Sequence, residues 1–379
     1  MKLAFSSRRL RLLTLLLCVG SVFVVIVFVQ LSAQQHDKTK ARDVETGLLN
    51  KTAPPNDLED NHGKLTAEGR LALVNAVKKY LMPTVYFAYK NDSRTLFENN
   101  ERDGLHILPE HFYSIIPKIT GIPDKLFQYK SSMAGIDLQY EQQHVFVDGC
   151  AHYTKEFQDL FPRRSQGESL DPLRYYPLGA NYGGGDGSSL YCMIRSRRPK
   201  QIIELGSGDT TLLMGQAALQ NGKNGSTTLL HSFDPYFKLG QKPSDVPGLA
   251  GLEAQSAEKL TPELFQSRLQ AGDFLFIDTS HVMHMTSDVR HLILEILPAL
   301  PVGVLVHFHD IFLPYHYPET WIREQLRFWN EQYFLQAFLV ANRMYKVVYA
   351  CHAYSVEFPD RVRRSLLPGG GCFWIQRVE

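Results

Sequence analysis

The sequence predicts an α/β fold in which a mostly parallel sheet has helices packed on both faces. From residue 186 onward, short apolar runs alternate with helical patterns, which is typical of parallel strands joined by crossover helices. The first run, Gln201–Leu205, ends in a turn with two glycines, and a helix begins directly after it. A second run, Thr227–Phe233, is followed by the carboxylate of Asp234. Open α/β sheets bind ligands at the carboxyl ends of their strands, so this edge is the predicted binding site.

The other elements of this region follow from the same alternation. Further strands are predicted at Gly251–Ala254, Phe274–Asp278, Gly303–His309, Tyr345–Cys351 and Cys372–Val378. Helices are predicted at Gly187–Arg197, Thr210–Gln220, Pro262–Gln270, Thr286–Leu297 and Glu319–Val340. The segment Leu366–Gly371 contains a proline and three glycines, which is typical of a reversing connection before the last strand.

The part of the chain before residue 186 has less regular patterns. Residues 65–185 are interpreted as an accessory region that covers the substrate side of the catalytic domain, residues 186–379. This region begins with a predicted helix at Thr66–Leu81, whose apolar residues share one side. Residues 32–64 are polar and contain Pro54 and Pro55, which is typical of a stem or linker.

Length and composition limit the function classes. The chain has 379 residues, of which 44% are hydrophobic and 21% charged, so it can bury a large core. Its net charge of +1 argues against nucleic-acid binding, which needs a strongly basic surface.

The N-terminus predicts a single membrane-spanning helix. Residues 12–36 contain no Asp, Glu, Lys or Arg, and the core from Leu12 to Leu31 would be about 30 Å long as a helix, which is roughly the hydrocarbon thickness of a bilayer. Basic residues are concentrated in the preceding residues 1–11, which indicates a cytosolic tail and a luminal (Golgi or ER) or extracytoplasmic body. A signal peptide cleaved near Ala33, or a transit sequence, is the alternative.

Two further patterns agree with an exported body. Glycosylation sequons begin at Asn50, Asn91 and Asn224, so a glycoprotein is expected if this region enters a secretory lumen. Outside the predicted anchor, four cysteines remain, which permits two disulfides with three connectivities. Four buried free thiols are the alternative.

The first strand and its turn carry a resemblance to a known family. The turn has the form Glu-x-Gly-x-Gly at residues 204–208, and Thr211 stands where a dinucleotide-binding turn would have a third glycine. With Asp234 at the end of the second strand, the chain resembles the class I S-adenosylmethionine-dependent methyltransferases over roughly residues 105–379. The segments 190–195, 307–314 and 329–333 resemble an uncharacterised subgroup of that family.

The resemblance implies a Rossmann-like sheet of seven strands with the last one antiparallel. In that arrangement the end of Tyr345–Cys351 lies near the start of Cys372–Val378, so a Cys351–Cys372 disulfide is expected. The resemblance also implies a binding site for S-adenosylmethionine at the strand ends. There Glu204, Gly206 and Gly208 would face the methionine part, and Asp234 would bind the ribose hydroxyls.

Three more residues complete the predicted cofactor site. Ser256 and Ala257 follow the third strand, where the family usually contacts adenine, and Asp278 ends the fourth strand. The alternative is that the glycine turn and its acidic residues only end a strand and cap a helix.

Two strand ends concentrate the residues suited to catalysis. Asp278 and His281 follow the fourth strand, and His309 and Asp310 follow the fifth. Methyl transfer to a hydroxyl requires alignment of the two substrates and removal of a proton, which a histidine can accept. His309 or His281 is therefore the expected base, and Asp278 or Asp310 would orient it. His307, on the same side of the strand as His309, is interpreted as a core histidine.

The same residues predict a second possibility, a divalent metal site. Some O-methyltransferases of this fold bind a magnesium-type ion through acids after these two strands, and Asp278 and Asp310 occupy both places. Ile311 stands where the family has its third ligand, so His309 would complete the set, which suits a transition metal better than Mg²⁺. The alternative is that Asp310 only caps the turn before Pro314.

Two loops could contribute to substrate binding. Residues 180–186 are rich in glycine and could close over a cofactor, or form a plain linker. The aromatic segment Tyr315–Tyr317 could line an acceptor pocket, or simply pack on the domain.

The functional hypothesis is a membrane-anchored S-adenosylmethionine-dependent methyltransferase that modifies a hydroxyl acceptor such as a glycan. A small-molecule or lipid-linked acceptor is the nearest alternative. A non-catalytic glycan- or protein-binding module with the same fold is the other.

Overall fold

The computed structural model of the protein describes residues 15–19, 22–26, 66–80, 91–108, 110, 113–162, 171–178, 182–237, 239 and 243–379. The chain divides into two compact units, Met1–Pro117 and Lys118–Glu379. The predicted accessory region, residues 65–185, therefore extends over both units. The predicted cytosolic tail, residues 1–11, and the whole of the predicted stem, residues 32–64, lie outside the described residues.

Two short strands and two helices are present in the described residues of the first unit. Strands β1 (Leu15–Val19) and β2 (Val22–Ile26) pair antiparallel, and they occupy part of the segment predicted to be a membrane-spanning helix. The helix prediction does not hold for these two segments, since β-branched and aromatic residues such as those of β2 favour extended backbone. The described part of the chain contains no helix that is both long and apolar enough to cross a bilayer.

The two helices of this unit are α1 (Ala67–Tyr80) and α2 (Asn91–Arg102). Helix α1 confirms the helix predicted from Thr66 to Leu81. Its first turn is capped by the Thr66 hydroxyl, which accepts a hydrogen bond from the backbone amide of Gly69 at 2.9 Å.

The second unit is built on a sheet of seven strands. In chain order these are β3 (Gln201–Leu205), β4 (Leu229–Phe233), β5 (Leu249–Glu253), β6 (Phe274–Ile277), β7 (Leu305–Phe308), β8 (Tyr345–Ala350) and β9 (Phe373–Arg377). They are arranged in the order β5-β4-β3-β6-β7-β9-β8, and β9 runs antiparallel to both of its neighbours. This confirms the predicted mostly parallel sheet. The chain order reverses between β3 and β6, so the carboxyl ends of these two strands form the switch point where ligands are expected.

Helices cover both faces of this sheet. They are α3 (Tyr140–Leu160), α4 (Gly184–Arg197), α5 (Asp209–Lys223), α6 (Pro262–Arg268), α7 (Asp288–His291), α8 (Leu297–Ala299), α9 (Glu319–Arg323), α10 (Glu331–Leu339), α11 (Cys351–Glu357) and α12 (Pro359–Ser365). The alternation along each strand separates two apolar cores. In β3, for example, Ile203 belongs to one core and Ile202 to the other.

The long helix predicted from Glu319 to Val340 is wrong in its middle. Helix α9 ends at Arg323, and α10 begins at Glu331. The connecting loop includes Leu326 in the left-handed region, with φ +55°. The guanidinium of Arg327 lies 4.7 Å from the ring centre of Trp321 and 5.0 Å from that of Trp329. The two indoles pack around this cation, and the chain is therefore not helical between α9 and α10.

The predicted disulfide is also wrong. The structure joins Cys150 of α3 to Cys192 of α4, while Cys351 and Cys372 are buried free thiols. The backbone amide of Cys351 does donate to the carbonyl of Cys372, as the antiparallel strands require. The two sulfurs have other partners, however. That of Cys351 contacts the carbonyl of Gly369, and that of Cys372 contacts the hydroxyl of Ser189.

Removal of the observed disulfide should destabilise the second unit. The bond closes a loop with a sequence separation of 42 residues, for which the loss of loop-closure entropy in the unfolded chain is worth about 3–4 kcal/mol. We expect Cys150→Ala to lower the free energy of unfolding by about that amount in urea titrations. A reducing agent should destabilise the natural protein and leave the variant unchanged. Equal sensitivity of both proteins to reduction would contradict this account.

Candidate functional site

The turn after β3 depends on a close approach between two backbone segments. Gly206 has φ +89°, and a Cβ at this position would lie 2.0 Å from the carbonyl oxygen of Asp278 at the end of β6. Only glycine fits this conformation and this contact. Gly208 is different, because a Cβ there would meet no protein atom within 4 Å. The protein itself does not require glycine at position 208, so the open space in front of it is available to a ligand.

Glu204 lies beneath this turn and is fully buried. Its two carboxylate oxygens accept hydrogen bonds from the hydroxyls of Thr210 and Thr211, at 2.6 and 2.8 Å. Burial raises the pKa of Glu204 to about 7, although the threonine hydroxyls oppose this shift. Glu204 therefore fastens the turn to the first residues of α5, and its side chain does not reach the neighbouring cavity.

That cavity opens directly in front of the glycine turn. Its walls are Tyr182, Gly206, Ser207, Gly208, Asp209, Thr210, Asp234, Tyr236, Leu239 and Asp278. The carboxylate of Asp234 is held in place by the backbone amides of Ser207 and Tyr236, at 3.0 and 2.7 Å, and by the Ser207 hydroxyl. The structure therefore brings together four of the predicted cofactor residues, namely the two glycines, Asp234 and Asp278.

The two residues expected near adenine are placed elsewhere. The hydroxyl of Ser256 donates to Glu258 at 2.6 Å, and Ala257 is buried in one of the apolar cores. Neither is among the residues that line the cavity. Tyr236 and Leu239, which follow β4, line it instead.

A second cleft lies beside this cavity. It is lined by Pro177, Leu178, Gly183, Gly184, Asp186, His309, Asp310, Phe312, Trp321, Pro368, Gly370 and Gly371. Asp278 lines the first cavity and His309 the second cleft, and Oδ1 of Asp278 lies 3.3 Å from Nδ1 of His309. One acid–histidine pair therefore lies between the two spaces.

The register of β6 and β7 explains this pair. Ile277 is opposite Phe308 in two parallel neighbouring strands, and the amide of His309 donates to the carbonyl of Ile277 at 3.1 Å. The residues after the end of each strand must then lie side by side at the same edge. The expectation from the sequence that these strand ends share one site agrees with this geometry.

Four side-chain atoms converge at this edge. Nε2 of His281 lies 3.3 Å from Oδ1 of Asp278 and 3.7 Å from Oδ2 of Asp310. Nδ1 of His309 lies 3.3 and 3.5 Å from the same two oxygens. We call these four residues the His–Asp cluster. His281 and Asp310 both have left-handed backbone, with φ +60° and +57°, and such strain outside glycine is concentrated at functional sites.

Each histidine of the cluster has a second carboxylate behind it. Nδ1 of His281 lies 2.9 Å from Oε2 of the buried Glu331, and Nε2 of His309 lies 3.6 Å from Oδ2 of the buried Asp186. Glu331 is the first residue of α10, whose initial amides at 330 and 331 donate to the carbonyl of His281. Asp186 is fixed by the backbone amides of Gly371 and Cys372. Outer carboxylates of this kind orient imidazoles that bind metals.

The charges of the cluster influence one another strongly. Burial favours neutral imidazoles, but Asp278 and Asp186 outweigh it and raise the pKa of His309 well above its usual range. Against the same effect of burial, Asp278 and Glu331 raise the pKa of His281 to about 10. Burial also opposes ionisation of Asp278, yet the two histidines hold its pKa well below the usual value. Burial raises the pKa of Asp310. The cluster therefore stabilises positive charge.

Other residues considered in the sequence pack within the fold. His307 is fully buried, stacks on Phe276 with ring centres 4.0 Å apart, and bonds to the hydroxyl of Tyr182 at 3.0 Å. Tyr317 is buried, and Nδ1 of His316 lies 3.0 Å from the hydroxyl of Tyr333. The segment Tyr315–Tyr317 is not part of the cleft lining.

The glycine-rich loop at residues 180–186 is a packed element where it is described. Tyr182 is buried and lines the first cavity, and helix α4 already begins at Gly184. A Cβ on Gly185 would lie 1.8 Å from the carbonyl oxygen of Gly369, so this end of the loop is pressed against the turn before β9. Residues 180 and 181 lie outside the described residues.

The sequence did not single out Asp186, Glu331 or Tyr182 as site residues. The sequence pattern predicts Glu331 inside a continuous helix, which does not indicate what its side chain contacts. Its actual place at a helix start was signalled by Asn330, a residue type that is common immediately before helices.

The comparisons with known proteins concern the region of this site. A family model described as a methyltransferase domain matches residues 203–311, which include the glycine turn and all four residues of the His–Asp cluster. The match agrees with the methyltransferase resemblance of the sequence, and the observed strand order agrees with the sheet that this resemblance implies.

One curated relative is an uncharacterized protein of Archaeoglobus fulgidus, 30% identical over 110 residues. The alignment covers 28% of this chain and 48% of that protein, so the chain matches about half the length of the relative.

Some solved structures are similar at a low level. An apo structure of CmcI-N160 aligns with a TM-score of 0.35 and 16% identity, over 59% of this chain and 84% of that chain. A structure of cmcI-D160 described as Mg-SAM gives 0.34 with the same identity and coverages. The plantazolicin methyltransferase BpumL in complex with SAH gives 0.29 and 11% identity, over 64% of this chain and 99% of that chain. At these TM-scores the likeness has no bearing on function.

The buried Glu204 should make stability depend on pH. Its pKa of about 7 in the folded chain exceeds the value of 4.5 for an ordinary glutamate, so the folded state binds the proton more tightly than the unfolded state. The resulting stability is complete below about pH 4.5 and is lost as the pH rises through about 7. In Glu204→Gln this loss should disappear. Between pH 5 and pH 8.5, we expect the free energy of unfolding, measured in urea, to fall by about 1–3 kcal/mol more in the natural protein than in the variant. Parallel pH profiles for the two proteins would show that Glu204 is not responsible.

Proposed function

We propose that this protein transfers a methyl group from S-adenosylmethionine to a hydroxyl of an acceptor molecule. The observation that carries the proposal is the Asp278–His309 pair, which lies between the cavity at the glycine turn and the second cleft. Two substrates bound in these spaces would meet at this pair. S-adenosylmethionine, when bound, supplies an electrophilic methyl group on a sulfonium.

The cavity at the turn suits the nucleoside. Gly208 leaves space where a side chain would project, and Asp234 presents a fixed carboxylate at the end of β4. A carboxylate in this position can accept hydrogen bonds from both ribose hydroxyls. Glu204 has a supporting role, because it holds the turn in shape from below.

The acceptor hydroxyl is assigned to the second cleft, beside His309 and Asp310. We assign its proton to Nδ1 of His309, the atom that faces Asp278 and Asp310. Because Asp278 and Asp186 raise the pKa of this imidazole, the ring must first release a proton to solvent, and only its neutral form accepts the proton of the hydroxyl. Asp278 and Asp186 hold the buried imidazole from two sides, and this fixes its ring orientation. Alignment of the two substrates is the larger part of the catalysis expected for such a displacement.

The His–Asp cluster also fits a divalent metal ion. The four atoms are 3.3–3.7 Å apart across the histidine–aspartate pairs. Ligands about 2.1 Å from a tetrahedral ion are about 3.4 Å from one another. Asp278, His281 and His309 would hold the ion, because their ligand atoms all lie within 4.8 Å of one another, with Asp310 beside the two imidazoles and Glu331 and Asp186 behind them. Such an ion would supply Lewis-acid polarisation of the hydroxyl, and it would compete with the proton for Nδ1 of His309.

A glycan is the proposed acceptor, in an exported protein. Phe312 and Trp321 line the cleft, and aromatic rings pack well on the apolar faces of sugars. The Cys150–Cys192 disulfide supports a site in an oxidising compartment, where such bonds persist. The sequon at Asn224 is exposed, as glycosylation requires.

Cofactor binding tests the proposal through the two glycines. In Gly208→Val the new side chain should enter the space assigned to the nucleoside, and we expect at least tenfold weaker binding of S-adenosylmethionine in calorimetry with an unchanged melting temperature. Gly222→Val is the matched control, because a Cβ at Gly222 also meets no protein atom but lies outside the cavity. If the natural protein does not bind S-adenosylmethionine, the methyltransferase proposal fails and a non-catalytic binding module is favoured.

Metal binding is tested at His281, which does not line the cofactor cavity. We expect His281→Ala to weaken binding of Mn²⁺ or Zn²⁺ at least tenfold in calorimetric titrations, because one ligand is lost, while the affinity for S-adenosylmethionine stays within twofold. His316→Ala, which removes an imidazole outside the cluster, should bind the ions like the natural protein. The metal assignment is wrong if the natural protein binds neither ion, or if His281→Ala binds them unchanged.

A further inference from the structure

A third cavity lies between three helices of the second unit. Helices α3, α4 and α12 form its walls, and the Cys150–Cys192 disulfide crosses between the first two. The inner surface is mainly apolar and aromatic, with Phe157, Phe161, Tyr191 and Leu366 buried in the wall. None of the cluster residues lines this cavity.

This apolar cavity borders the acceptor cleft. Pro177 and Leu178 line both spaces. The turn before β9 also borders both, since Leu367 lines the cavity and Pro368 lines the cleft. Leu178 is 48% exposed and lies where the two spaces meet.

Several polar groups in the cavity wall already have partners. The hydroxyl of Thr154 donates to the carbonyl of Ser365 at 2.8 Å, and the hydroxyl of Tyr191 donates to Glu156 at 2.5 Å. Of the described residues that line the cavity, only Arg363 is charged, and its guanidinium donates to Asp360 at 2.6 Å. A ligand would therefore find apolar surface here and few polar groups to bind, which selects for hydrocarbon.

We propose that the acceptor is an amphiphile, with a hydroxyl-bearing head in the cleft beside His309 and a hydrocarbon chain that passes over Leu178 into the apolar cavity. This inference rests on the proposed function and specifies its substrate class as a lipid-linked hydroxyl compound. The chain contributes affinity through burial of its surface, and the head presents the hydroxyl to be methylated.

Two glucosides with the same head test the proposal. Octyl β-glucoside, kept below its micelle concentration, has the hydrocarbon chain, and methyl β-glucoside lacks it. With the full-length protein we expect the octyl compound to bind at least tenfold more tightly in calorimetry, and to be methylated more efficiently with labelled S-adenosylmethionine. Because Leu178 lines both spaces, its effect is read from the ratio of the two affinities, and Leu178→Asp should lower the octyl-to-methyl ratio about sixfold.

Leu219→Asp is the matched control, because Leu219 is 43% exposed and lies outside both spaces. Melting temperatures establish that both variants are folded, which their exposed positions favour. The proposal of an amphiphilic acceptor is wrong if the two glucosides bind with equal affinity. It is also wrong if the two aspartate substitutions weaken the binding of octyl glucoside equally.

Binding of S-adenosylmethionine in the same samples separates this failure from that of the proposed function. Normal cofactor binding without any effect of chain length removes only the amphiphile and leaves the methyltransferase proposal in place. Absence of cofactor binding in the natural protein removes the methyltransferase proposal itself, and the amphiphilic acceptor with it.

Discussion

The contact between the turn after β3 and the end of β6 determines the geometry of the whole site. Gly206 can approach the carbonyl of Asp278 only because it has no side chain. This approach places Asp278 on the wall of the cofactor cavity, and the parallel pairing of β6 with β7 brings His309 next to it. One steric constraint therefore aligns a nucleoside-sized space with a cluster of acids and imidazoles.

Burial of charge is the second determinant. The cluster concentrates carboxylates and imidazoles in a region with little solvent, where isolated charges would be costly. The opposite charges of the acids and imidazoles offset this cost of burial. The outer carboxylates of Glu331 and Asp186 fix the orientation of both rings. The cluster is strained at His281 and Asp310 and is rich in charge, so it adds little to stability. Ligand binding therefore explains its arrangement better.

Strand periodicity in the sequence was enough to predict the sheet, whereas features that depend on tertiary packing were missed. Strand ends gave the positions of Asp278, His309 and Asp310, because parallel neighbours end at one edge. Glu331 was missed, because aromatic packing around Arg327 breaks a helix that local propensity would continue. The disulfide was misassigned, because strand pairing brings the backbones and sulfurs of Cys351 and Cys372 close together without requiring a bond between the sulfurs. The apolar cavity is formed by three helices that are distant in sequence, so no local sequence pattern predicts it.

The Cys150–Cys192 bond has a practical consequence for production of the protein. It ties α3 to α4, and α4 also carries Asp186 near its first turn. Chains made in a reducing bacterial cytosol would lack this covalent tie, so the helix behind His309 would be less firmly anchored. Recombinant material from an oxidising host is therefore the appropriate starting point for enzymology and crystallisation.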